Sequence, residues 1–209
     1  FICAIEMRNA LTVTIQNCTL EKNRFGIRVT NGTITDLTIT NCTIQDSWTD
    51  NLYAARGVNW TISGCSFLNP AKSGTSGDCI QIFAGANIDN VDIYNNTFSN
   101  PLTTDKQCII IDQSTYTTSG LTIYSNDFYG PGYAGRASGG NGILLVVDAA
   151  SIYDNLFYGC KNGIRASGGT ITCNNNTILS CLYGLVSIDG ASITTTGTIV
   201  RKCDINYYT

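Results

Sequence analysis

The feature that most constrains this chain is a repeat. One phrase reads apolar, then polar positions carrying Asn or Cys, then Thr or Asp, then a bulky apolar residue. It occurs as Ile15-Gln16-Asn17-Cys18-Thr19-Leu20 and returns at 39–44, 62–67, 93–98, 123–128, 152–157 and 173–178. A second phrase follows each copy, a small residue and then apolar-polar-apolar, as in Gly26-Ile27-Arg28-Val29, Cys79-Ile80-Gln81-Ile82 and Gly163-Ile164-Arg165-Ala166. Its anchors Ile5, Ile27, Leu52, Ile80, Ile109, Ile143, Ile164 and Leu185 recur at 22, 25, 28, 29, 34, 21 and 21 residues. The floor of about 21–22 residues is one repeat. Within it the apolar residues alternate with period two, the pattern of short strands, and nothing longer than a turn has helical periodicity. Such a chain folds as a coil of about eight laps. Each lap adds one strand to each of about three parallel sheets, and side chains one repeat apart stack roughly 4.8 Å from one another. No single rung can bury its own apolar face, so stacking supplies the stability.

Composition removes several functions. Histidine is absent, which excludes mechanisms built on imidazole and His-ligated zinc. Twelve Lys and Arg against 15 Asp and Glu, a net charge of −3, cannot make the basic stripe that grips nucleic acid. No run of 18 apolar residues is present to span a membrane.

Two inward columns emerge from the repeat: the anchors above, and Leu20, Ile44, Phe67, Phe98, Phe128, Phe157 and Ile178. A third reads Cys18, Cys42, Cys65, Asn96, Asn126, Asn155 and Asn176. On these residues the chain resembles the right-handed parallel β-helix repeats of pectate-lyase-like proteins, over nearly its whole length. The resemblance implies an all-β, right-handed solenoid forming a single domain, 1–209, with an internal Asn ladder at one corner. It says little about function, because similar proteins include lyases, epimerases, hydrolases, phage spikes and inert surface proteins.

Ten Cys point to an oxidising, extracellular or cell-surface setting. Cys160, Cys181 and Cys203 form another column and Cys79 with Cys108 a further one. Buried thiols and disulfides, within or between molecules, both fit. Two columns hold three Cys, so neither can pair completely, and no C-x-x-C pair suggests a metal. Of six sequons, Asn17, Asn41, Asn95 and Asn175 fall inside the corner phrase. Asn31 and Asn59 lie outside it and are the candidate glycosylation sites. The chain opens at Phe1 and leaves at Thr209 in mid-repeat. It is therefore expected to be a piece of a larger extracellular protein, or to have its ends covered in a homo-oligomer.

The extra residues all enter at one corner, in loops 68–78, 99–107 and 129–141, so a binding edge is expected there. The loops carry Lys72, Asp78, Asp105, Lys106, Tyr129, Tyr133 and Arg136, with Trp48 and Asp50 one rung earlier. Asp50 and Asp78 should be stacked neighbours. As such they could share a proton, hold Ca²⁺ (the one cofactor this reading brings in), or accept corner amides. In a lyase or epimerase for acidic glycans they would be the cation ligands, with Lys106 or Arg136 as base; in a hydrolase they would be the acid and the nucleophile or base. A stacked Tyr94, Tyr124 and Tyr153, with Trp48, Tyr129 and Tyr133, could receive sugar rings. Against a lyase groove, Ile110 and Leu144 face outward beside the longest loop. Low charge, Thr and Tyr faces and the missing His favour a non-catalytic structural or adhesive module, with a polysaccharide or another copy of itself as partner. A polysaccharide lyase, epimerase or hydrolase is the alternative.

Overall fold

The computed structural model describes residues 3–30, 34–70, 77–83, 87–100, 106–113, 117–132 and 139–209. Every lap lays down one strand in each of three sheets, and every pairing is parallel, as in Ile109–Asp112 of sheet A, Thr118–Tyr124 of sheet B and Asp127–Tyr129 of sheet C. Among the described residues sheet A has nine strands, from Cys3–Met7 to Ile205–Tyr208, and sheets B and C have eight each. Successive members of a sheet are separated in sequence by the other two, which is a β-helix. Among the described residues no helix is long and apolar enough to cross a membrane.

The register follows the sequence columns. Ile5 pairs with Ile27, then Leu52, Ile80, Ile109, Ile143, Ile164, Leu185 and Tyr207 in unbroken order. Phe67, Phe98, Phe128 and Phe157 lie in register on sheet C, their rings stacked at 5.2, 4.9 and 4.6 Å between centroids. All four are fully buried. Burying each Phe side chain is worth about 1.5–3 kcal/mol. The small residue that opens the second phrase is a packing requirement: a Cβ on Gly142 would lie 2.5 Å from the Phe157 ring.

The turn from sheet B to sheet C is made by one left-handed residue per lap. Asn17, Asn41, Gly64, Asn95, Ser125, Asp154, Asn175 and Gly197 all have φ between 53° and 66°. Asn, Asp and Gly tolerate this region best. The Asn of four sequons therefore has a conformational reason to be there. The next residue points inward. Asn96 donates its backbone N–H and its Nδ2 to Asn126 Oδ1, both at 3.0 Å. Asn126 does the same to Asn155 (2.9 and 3.0 Å), and Asn155 to Asn176 (3.1 and 3.0 Å). Each of these Nδ2 groups also donates to a sheet B carbonyl at 2.9 Å.

Cys takes over this column upstream. Cys65 N–H donates to Asn96 Oδ1 at 2.9 Å, and Cys42 N–H to Cys65 Sγ at 3.4 Å. The Cys42 and Cys65 thiols donate to the carbonyls of Thr40 and Ser63, both at 3.3 Å. The disulfides allowed by the cysteine count are not formed: all ten cysteines are free. Stacked side chains of neighbouring rungs point the same way, and each of these sulfurs is held by its own corner carbonyl. A disulfide needs the two sulfurs turned toward each other across a dihedral near ±90°.

Candidate functional site

The corner from sheet C to sheet A is where the loops enter. Backbone N–H groups of Gly26, Asn51, Cys79 and Cys108 donate to the carbonyls of Asp50, Asp78, Gln107 and Asn141, so those four acceptors are stacked one per rung. Their side chains form a second ladder. Asp50 Oδ1 accepts the Asp78 N–H at 2.8 Å, and Asp78 Oδ1 accepts the Gln107 N–H at 2.5 Å. Gln107 Oε1 accepts both the backbone N–H of Asn141, at 2.8 Å, and its Nδ2. Asn162 Nδ2 donates in turn to Asn141 Oδ1. The two carboxylates thus stand as stacked neighbours, with one oxygen of each committed to a corner amide.

Their electrostatics follow from burial. Asp50 is 5% exposed, and desolvation pushes its pKa up to about 6 against the pull of the Asp78 N–H and of Lys106. Asp78 rises further, to about 7, first from burial and then from the Asp50 charge. Lys106, 8% exposed, has its pKa lowered by the same burial, partly offset by the two acids. This is the makeup of an acid–base pair: two close carboxyls that hold a proton near neutrality and a cation beside them.

As a Ca²⁺ site the pair fits poorly. Ca²⁺ takes six to eight oxygens. Here there are two carboxylates with N–H donors aimed at them and a Lys alongside. Among the described residues no three Asp, Glu, His or Cys side chains are grouped to hold a metal.

The expected sugar contacts are scattered. Tyr94, Tyr124 and Tyr153 stack on the outside of sheet B with centroids 4.8 Å apart and planes within 9°, so they cover one another's faces and leave edges and end faces to a ligand. Trp48 is 52% exposed on the loop-bearing corner, held through its N–H to Asn23 O at 2.8 Å. Tyr129 is exposed on sheet C beside Tyr158, its register partner. Tyr158 had the same outward position one repeat later and could have been read from the alternation. Asn59 is exposed, but its amide is engaged on both sides: Nδ2 donates to Asp36 Oδ1 and Oδ1 accepts from Asn90 Nδ2, both at 3.1 Å. Asn31, Lys72, Asp105, Tyr133 and Arg136 lie outside the described residues.

No curated protein and no solved structure matches the chain. The sequence pattern described as "right handed beta helix region" matches residues 2–208. Nearly the whole length is covered, the handedness agrees with the rule for parallel crossovers, and the chain belongs to the right-handed β-helix family.

Proposed function

We propose that this chain is a non-catalytic β-helix module with a structural or adhesive role outside the cell, in a surface layer, sheath, filament or viral spike. The observation that carries this reading is the second ladder. Asp50 and Asp78 occupy positions filled by Gln107, Asn141 and Asn162 on the following rungs; like Gln107 they accept the backbone N–H of the next rung, and Asn141 accepts the side-chain amide of Asn162. The absence of His supports it, as does the outward column Thr14, Thr38, Thr61, Asp92, Thr122, Ser151 and Thr172, hydroxyl-bearing at every rung but Asp92, which leaves sheet B a wettable face for glycan. With ten free thiols, extracellular placement no longer draws on disulfides and rests on these surfaces.

One observation favours a polysaccharide lyase, epimerase or hydrolase instead. The raised pKa values of Asp50 and Asp78 beside Lys106 are what acid–base chemistry requires. The test is a screen on uronate polymers and neutral polysaccharides, with and without Ca²⁺, for wild type and Asp78→Asn. The module reading expects no turnover by either. Cleavage or epimerisation by wild type that Asp78→Asn abolishes would overturn it.

A further inference from the structure

We infer that the chain associates laterally with a second copy of itself, the outer face of sheet A in one copy packing on the outer face of sheet C in the next. This rests on the module reading and names its partner.

The two faces are unlike the rest of the surface. On sheet A an outward column runs Ile110, Leu144, Arg165, Val186, Tyr208. Beside it stand Phe83, Val146 and Ile188, with Phe83 and Tyr208 well exposed. Arg165 is the one charge in this stretch of the column, whose first rungs carry Glu6 and Arg28. The Arg165 Nε is cut off from solvent and has no hydrogen-bond partner. Among the described residues the ion pairs are Arg8 with Glu6 and Lys22 with Glu21, and none of those residues gives Arg165 a carboxylate. Arg165 lines a groove of about 220 Å³ together with Tyr183, Val186, Ile188, Tyr208 and Lys161, which is itself already engaged, and among the described residues no acid shares that lining. Asp112, which stands between Phe83 and Val146 in the adjoining column, is already engaged. An apolar stripe with Tyr and an unpaired Arg at its centre has the composition of an interface core, and it calls for a partner that brings a carboxylate among apolar residues.

The chain carries such a surface. On sheet C the outward columns run Tyr129, Tyr158, Leu179, Arg201 and Asp127, Leu156, Thr177, Ile199, with the exposed Arg201 three laps from Asp127. Tyr129, Tyr158 and Ile199 are exposed, and among the described residues Asp127 has no ion pair. The acid thus sits among apolar and aromatic side chains, opposite in sign to the groove. Asp127 belongs to the lap of Ile110 and Arg165 lies two laps later, so the copies pack displaced by two rungs, about 10 Å, and the equal rise per rung lets the remaining ridges interlock. Sheets pack face to face about 10 Å apart. Because A meets C and not A, the contact is heterologous. Each copy leaves one face open for the next, and growth gives a filament or ribbon unless the rotation closes it.

Sedimentation velocity and light scattering on the 209-residue chain over a range of concentrations test this. Wild type should associate in a concentration-dependent way. Arg165→Glu and Asp127→Arg should each weaken association at least tenfold, and the double variant, which restores opposite charges, should regain most of it. Thr172→Glu on sheet B should change nothing. Thermal melts of each variant separate loss of contact from loss of fold, and all three positions are outward-facing. A wild type that stays monomeric, single variants that associate as wild type does, or a double variant no better than the singles would each overturn the interface. Those results leave the module reading standing, since that reading fails only by the appearance of Asp78-dependent turnover.

Discussion

Replacing Asp78 by Asn should stabilise the protein, and only above about pH 5. The Asp78 carboxyl rises from an ordinary value of 3.8 to about 7, and Asp50 from 3.8 to about 6. The folded state therefore binds these protons more tightly than the unfolded chain does. Folding takes up protons between pH 4 and 7, so the contribution to stability is full below pH 4, declines as pH rises, and levels off above 7. Three pKa units at 1.36 kcal/mol each would be about 4 kcal/mol for Asp78. The two carboxyls are coupled and titrate as a pair, so about 2–4 kcal/mol is a fair range.

Asn has the shape of the protonated acid and cannot ionise. Its Nδ2 would point at Asp50 as Asn141 Nδ2 points at Gln107, adding the donor that an ionised Asp lacks. At pH 4 Asp78→Asn should melt with wild type. At pH 8 it should be more stable by about 2–4 kcal/mol, which for a chain of this size is about 4–16 °C in Tm. Melts followed by far-ultraviolet circular dichroism between pH 4 and 9 give the answer. A wild-type Tm that is flat across that range, or an Asn variant no more stable at pH 8, would refute the reasoning.

Two further outcomes follow from the B–C corner and its thiols. Asn126→Ala removes an acceptor used twice by Asn96 and leaves the Ile93 carbonyl without its donor, so urea denaturation should register a loss of about 3–5 kcal/mol. Under native conditions a thiol reagent should reach only the half-buried Cys3, Cys18 and Cys203, with the seven buried cysteines reacting after unfolding; burial holds Cys65 at about 11 and Cys173 at about 12, where little thiolate exists. Alkylation of the unfolded, unreduced protein should add ten groups, and any smaller number would mean that disulfides form.

The fold was legible because stacking makes a periodic demand. A residue at an inward position needs an equivalent one lap later, so Phe67, Phe98, Phe128 and Phe157 announce themselves at any loop length. The same periodicity placed Asp50 over Asp78. What it did not carry is what a polar side chain does with its atoms. Spacing alone gives no difference between a carboxylate that opens on a groove and one that accepts the next N–H, and the same holds for thiols one rung apart, which spacing brings within disulfide range whether or not they bond. The closed faces of Tyr94, Tyr124 and Tyr153 were hidden for a related reason: stacking in register is what makes the column visible, and it is also what removes the ring faces from a ligand.

In a solenoid, then, the residues that fit their column are explained by the column, and function must be sought where a column changes character. Two such departures stand out. Arg165 interrupts an outward apolar column, and Asp50 and Asp78 replace amides in the ladder that Gln107, Asn141 and Asn162 continue. For the second departure a single substitution separates the possibilities, because both predict the same gain in stability and differ in what happens to turnover. If Asp78 is only a rung, Asn completes the ladder and the protein gains stability above pH 5 with nothing lost. If the pair holds its proton for chemistry, Asn still completes the ladder, and the gain in stability comes with the loss of turnover, the exchange expected wherever an active site keeps a strained group. Melting and turnover measured on the same Asp78→Asn preparation therefore distinguish a corner that tolerates two acids from one that needs them.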